Sequence, residues 1–161
     1  MPILRKLKEV LDEANIPYEV YTHAQAYTAQ EIAAAQHIPG KEMTKVVILN
    51  LGGSFVMAVL PASRLIDFEK VKAGLGVEQA SLATEEEFAS LFPECEIGAM
   101  PPFGNLFGLP VYVDPALERD EVIYFNAGNH QQTVKMKYKD FKEQVKPAVV
   151  SLTGEGKTKA A

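Results

Sequence analysis

The 161-residue sequence predicts an α+β fold built on a mixed sheet. Three observations lead there. β-rich apolar runs come in groups and hairpins, not in regular alternation with helices, which argues against a doubly wound parallel sheet. The clearest pair, Lys45 to Leu51 and Phe55 to Leu60 around Gly52-Gly53, is apolar on both faces, so this hairpin is expected to be central and covered on both sides. Amphipathic helical segments between the strand groups can supply that cover.

The elements follow in order. Leu4, Leu7, Val10 and Leu11 recur at helical spacing among Lys and Glu, predicting a helix from Ile3 to Ala14 that Asn15-Ile16-Pro17 ends. Tyr18 to Tyr21 alternates as a short strand. Thr28 and Glu31 form a capping-box pattern ahead of an Ala-rich helix that stops at Ile38-Pro39-Gly40. After the central hairpin, which Pro61 closes, a helix is expected over Leu65 to Leu75, ended by glycine. A second capping box, Thr84 with Glu87, opens a helix over Glu85 to Leu91. Strands are expected over Leu109 to Val113, Val122 to Phe125 and Gln132 to Met136, then a helix over Lys139 to Val145 and a strand over Val149 to Leu152. Residues 1–153 are expected to form one domain, and 154–161, small and polar, a flexible tail.

Composition narrows the function classes. Hydrophobic residues make up 47% of the chain and charged residues 23%, as in ordinary soluble domains. No apolar run approaches the ~20 residues of a membrane span, and the N-terminus lacks a signal-peptide core, so a cytoplasmic protein without a membrane partner is expected. Cys95 is the only cysteine, which excludes an intrachain disulfide and disfavours a cysteine-based metal cluster. The net charge of −5 leaves little positive surplus for gripping a long duplex; contact with nucleic acid is expected to be short, such as a single-stranded end.

Nucleotide-cradling glycine loops, a His-x-x-x-His pair and a Gly-x-Ser-x-Gly elbow are all absent from the sequence. The stretch that stands out is Gly98-Ala99-Met100-Pro101-Pro102-Phe103-Gly104. Prolines fix φ and remove donors while glycines open φ, giving a stiff loop with few, fixed N–H groups. Such a loop suits binding a substrate oxygen, and equally suits a plain tight connection. Lys45, leading an apolar strand, either snorkels to solvent or points into a cleft as a phosphate partner. His130 ends a bend, Asn126 to Asn129, rich in residues that tolerate positive φ; it is either structural or functional. Cys95 reads as a small core residue or as a nucleophile.

Five segments in order carry a resemblance: Tyr27-Thr28-Ala29-Gln30-Glu31, Met43-Thr44-Lys45-Val46-Val47-Ile48-Leu49, Gly98 to Gly104, Val111-Tyr112-Val113-Asp114, and Ala127-Gly128-Asn129-His130. Together they resemble the YbaK/prolyl-tRNA-synthetase-associated domain family of aminoacyl-tRNA editing proteins, over about Ile3 to Leu152. The Gly-x-x-x-Pro of Gly98 to Pro102 matches that family's signature loop. The resemblance implies a largely antiparallel, barrel-like sheet with surrounding helices, and hydrolysis of the ester joining a wrong amino acid to the terminal adenosine of a tRNA, usually the tRNA for proline. It implies that Lys45 holds the 3′-terminal nucleotide through its phosphate and that the backbone at Gly98 holds the aminoacyl ester, these two being the catalytic positions. Substrate contacts are expected from His23, Ile32, Thr44, Val47, Leu60, Ala99, Met100, Pro101, Pro102, Gly128, His130 and Thr133. Chemistry is expected to use a bound water and the substrate's ribose hydroxyl, without cofactor or metal. The histidine at 130 resembles the alanine-clearing branch, so mischarged alanyl-tRNA for proline is the expected substrate, with cysteinyl- or seryl-tRNA as further candidates. Expected partners are the tRNA acceptor end and prolyl-tRNA synthetase. The competing expectations are a non-hydrolytic module that binds a tRNA end or small ligand, and a Cys95-dependent hydrolase.

Overall fold

The structure is a computed structural model that describes residues 4–22 and 43–154. The capping box at Thr28, the Ala-rich helix after it, and the contacts expected from His23 and Ile32 lie outside the described residues.

Helix α1 (Arg5–Glu13) buries Leu7 and Leu11 completely and turns Arg5–Glu9 and Lys8–Asp12 ion pairs to solvent. Strand β1 (Tyr18–Thr22) follows. The central hairpin joins β2 (Thr44–Asn50) to β3 (Phe55–Pro61), with Lys45 opposite Leu60 and Val47 opposite Ala58. Its turn uses Gly52 and Gly53 at positive φ, and Asn50 Oδ1 accepts the Gly53 N–H at 2.7 Å.

Side chains alternate across a pleated sheet, and here the alternation separates two cores. Ile48, Met57 and Val59 face the larger cluster with Leu7, Leu11, Phe103, Phe125 and Phe141. Val47, Leu49, Val56, Ala58 and Leu60 face a smaller cluster closed by Ile66, Val71 and Leu152. The expectation of a hairpin covered on both sides is met.

Helix formation begins later than expected after the hairpin. Leu65–Ile66 is not helical but forms β4, paired with β10 (Thr153–Gly154). Asp67 caps the helix that follows, α2 (Phe68–Leu75), accepting the N–H groups of Glu69 and Lys70, so the helix starts at the cap and not at the first apolar residue. β5 (Ser81–Leu82) adds an unanticipated edge strand to β2. The second capping box forms as expected at α3 (Glu85–Phe88), and Ala89–Leu91 tightens into a 3₁₀ turn.

The remaining strands are β6 (Val111–Val113), β7 (Val122–Asn126), β8 (Gln132–Lys137) and β9 (Ala148–Val149), with α4 (Tyr138–Val145) between the last two. One sheet runs β5-β2-β3-β6-β9, parallel where β6 joins β3 and β9; another runs β1-β8-β7, all antiparallel. A parallel bridge between Met43 and Tyr124 links them. This is the mixed α+β architecture expected, although among the described residues the sheet does not close into a barrel.

The strand predicted over Val149 to Leu152 splits into β9 and β10 because Asp114 intervenes. Its Oδ1 accepts the N–H groups of Leu152 and Thr153 at 2.8 and 3.1 Å, and its Oδ2 accepts that of Ala116 at 2.9 Å. Asp114 is 1% exposed, and Arg64 stands 4.0 Å away. Asp114→Ala leaves these donors without their acceptor and is expected to cost about 3 kcal/mol or more in urea denaturation, with Asp114→Asn losing less.

Candidate active site

β7 organises the region. The Met43–Tyr124 bridge sets β2 and β7 parallel, with Lys45 two residues beyond it on one strand and Asn126 two beyond on the other. Across β7 and β8, Asn126 pairs with Thr133, and across β8 and β1, Thr133 pairs with Tyr21. Ile123, Phe125, Val134 and Met136 occupy the larger core, so alternation turns Asn126 and Thr133 to the other face. Lys45, on the same side of β2 as Met43, joins them there. The expected contacts Lys45 and Thr133 are thus brought to one face.

The chain leaves β7 into the bend 127–130, where Gly128 takes φ +101°. The bend is tied to the Gly98 loop by backbone bonds in both directions: Glu96 N–H to Gly128 C=O at 2.8 Å and Gly128 N–H to Ala99 C=O at 2.9 Å. His130 is 3% exposed, and its Nε2 lies 2.8 Å from the Ile97 carbonyl oxygen. A carbonyl only accepts, so Nε2 carries a proton and donates to it. Gly98 has φ +87°, and a Cβ built on it would lie 3.6 Å from His130 Cε1. The structure therefore brings Gly98, Ala99, Gly128 and His130 together, with His130 gripping the loop from behind.

This packing sorts the loop's donors. Ala99 N–H is committed to Glu96 C=O at 3.0 Å, and Pro101 and Pro102 have none to give. Among the described residues, the Gly98 and Met100 N–H groups donate to no acceptor. Met100, Pro101 and Pro102 are buried, while Gly98 is exposed.

Lys45 is half-buried, and burial pushes its ammonium below the ordinary lysine value. Among the described residues no carboxylate pairs with it. Two buried polar atoms near it lack a hydrogen-bond partner, Thr44 Oγ1 and Asn126 Oδ1. Sequence reasoning placed Asn126 in the bend without singling it out; its signal is a polar residue closing an apolar strand. Val47 and Leu60, expected to line the pocket, pack in the smaller core, where Leu60 has no exposed surface. Burial pushes the Cys95 thiol up to about 11, with the Glu94 carboxylate adding to the effect. Among the described residues, no group of His, Cys, Asp and Glu is placed to hold a metal ion, and no helix is long and apolar enough to cross a membrane.

The fold has counterparts. Residues 23–143 match the family model described as an aminoacyl-tRNA editing domain, and the chain belongs to that family, a class of aminoacyl-tRNA hydrolases. It is 27% identical over 152 residues to the multifunctional Ser/Thr-tRNA deacylase ProXp-y of Escherichia coli (strain K12), covering 91% of this chain and 90% of that protein. It is 31% identical over 93 residues to the proline–tRNA ligase of Thermosipho africanus, a match spanning 58% of this chain but 16% of the ligase. A crystal structure of a candidate trans-editing enzyme for prolyl tRNA synthetase superposes with a TM-score of 0.78 at 20% identity, covering 93% of this chain and 96% of that one.

Two outcomes test the site's construction. Gly98→Ala meets His130 at ordinary contact distance, so its cost is the left-handed backbone alone, about 1–2 kcal/mol in thermal or urea unfolding. With its thiol near 11, Cys95 is thiolate in only about one molecule in a thousand at pH 8, so iodoacetamide is expected to alkylate it far more slowly than free cysteine, and Cys95→Ala to keep full deacylase activity.

Proposed function

We propose that the protein hydrolyses the ester of tRNA mischarged with a small amino acid, alanyl-tRNA for proline being the principal substrate. The observation that carries this reading is the parallel alignment of β2 and β7, which sets a half-buried Lys45, without a carboxylate partner among the described residues, and the donors of the Gly98 loop at the same end of β7. A desolvated ammonium without a carboxylate partner suits the phosphate of the 3′-terminal nucleotide. The Gly98 and Met100 N–H groups, which flank the committed Ala99, are suited to the ester oxygen as negative charge develops there. His130 fixes that loop through Ile97, a positioning role that needs no proton transfer.

In this reading the attacking water is held near the ester and the substrate's ribose hydroxyl assists it. An ester is already activated, so positioning and backbone donors supply much of the acceleration. Discrimination by size is limited, since one methylene is worth about 1–3 kcal/mol, and a site that admits alanine does not exclude serine on shape. The unpartnered Asn126 Oδ1 and Thr44 Oγ1, with the Ser/Thr-tRNA activity named for the Escherichia coli relative, favour seryl- and threonyl-tRNA as a second reading. Prolyl-tRNA synthetase is the natural source of alanyl-tRNA for proline, and we place this chain beside it as a trans-acting editor in the cytoplasm.

The test is a deacylation panel with alanyl-, seryl-, threonyl- and cysteinyl-tRNA. Alanyl-tRNA for proline is expected to be cleared fastest; no acceleration over buffer for any ester would overturn the proposal. Lys45→Ala is expected to lower kcat/KM by about 100-fold or more with unchanged unfolding, the cost of a lost charged contact near 3 kcal/mol. A folded Lys45→Ala protein of full activity would remove Lys45 from the site.

A further inference from the structure

The face that carries Lys45, Asn126 and Thr133 does not end there. On the next row of the sheet, Tyr124 pairs with Lys135 and Lys135 with Glu19. Tyr21 lies at the far end of the first row, 37% exposed, and its ring centroid stands 6.3 Å from that of Tyr124 at an interplanar angle of 40°. Lys135 Nζ lies 5.7 Å from the Tyr124 centroid and 3.5 Å from Glu19 Oε2, while the Tyr21 hydroxyl donates to the same carboxylate oxygen at 3.0 Å. Two tyrosines, a lysine and a glutamate thus form one braced patch, with Tyr21 and Glu19 exposed and Tyr124 and Lys135 half-buried. This face is continuous with the proposed site.

We propose that the Tyr21–Tyr124–Lys135 patch is a stacking platform for an unpaired base of the tRNA 3′ end, one of the nucleotides preceding the terminal adenosine. This rests on the deacylase reading above and extends it. The chemistry of the patch favours a base over a phosphate. Lys135 is already balanced by Glu19, so the patch offers aromatic faces with no net positive charge, and aromatic faces hold bases of single strands. At about 4.8 Å per strand, β1 lies some 14 Å from the β2 edge that carries Lys45, a span that the nucleotides preceding a phosphate held on Lys45 can bridge. The platform also answers the charge problem: a chain of net charge −5 gains hold on RNA through stacking, without a basic surface.

The experiment compares two substrates of one amino acid, an aminoacylated minihelix ending in CCA and the aminoacyl-adenosine ester alone. Tyr21→Ala and Tyr124→Ala are each expected to lower kcat/KM for the minihelix about tenfold or more relative to the adenosine ester, and Tyr21→Phe to restore it. Equal losses on both substrates, or none, would overturn the platform. Tyr21 is exposed at the edge of its sheet, so its variant keeps the test available if Tyr124→Ala does not fold. The chain lacks tryptophan, so tyrosine fluorescence reports binding directly. Uncharged CCA-ended RNA is expected to quench the wild-type protein more than adenosine monophosphate does, with the excess lost in Tyr21→Ala. This binding arm separates the two proposals. If the wild type cleaves no ester yet shows the excess quenching, the deacylase reading fails and the platform stands; if it cleaves esters without that excess, the platform fails alone.

Discussion

The whole molecule depends on a hairpin that is apolar on both faces. β2 and β3 must be covered on two sides, and the covering elements come from opposite ends of the chain: α1 and α4 contribute to one core, α2 and the β4–β10 pair to the other. Each core is small for one chain, and neither exists without the sheet between them. Polarity is therefore tolerated only where a row of side chains runs out. Lys45 sits at such an end, followed on its own face by Val47 and Leu49 in the smaller core. Its charge is partly desolvated because the apolar row continues behind it.

The second half of the site is made of backbone. Gly98 and Gly128 both hold positive φ, and the segments around them exchange main-chain hydrogen bonds while His130 reaches across to Ile97. Such a clamp fixes donor positions largely through main-chain bonds. That matches a hydrolase whose substrate ester is already reactive and whose need is orientation. Cys95, close to this clamp in sequence, is held as a neutral thiol by its surroundings.

Charge follows the same logic. Acidic residues gather in the Glu85-Glu86-Glu87 turn of α3, while on the β1-β8-β7 sheet Lys135 is balanced by Glu19 and Lys45 has no carboxylate partner among the described residues. A protein so arranged does not attract RNA at long range. In the proposed reading it meets a short end at close quarters, through one cation, fixed amides and aromatic faces.

Much of this was legible in the sequence. The two-sided hairpin, its Gly-Gly turn, the Thr84–Glu87 box and the stiff loop are local patterns whose physics is settled within a few residues, and five short segments in order, from Tyr27-Thr28-Ala29-Gln30-Glu31 to Ala127-Gly128-Asn129-His130, carry the resemblance to the family. Where tertiary partners compete with local preference the sequence misleads. Leu65-Ile66 look helical until β10 pairs with them, and the chain after Val149 looks like one strand until Asp114 takes two of its amides. Val47 and Leu60, read as pocket lining, lie in the smaller core behind Lys45. The sequence by itself determined the class of fold and which residues could bear the chemistry, because composition and turn geometry are written along the chain. Only the tertiary structure decided which of them meet. The Met43–Tyr124 bridge sets the register between two sheets, and that register turns Lys45, Asn126, Thr133 and Tyr21 to a common face, a relation between distant strands that no local pattern encodes.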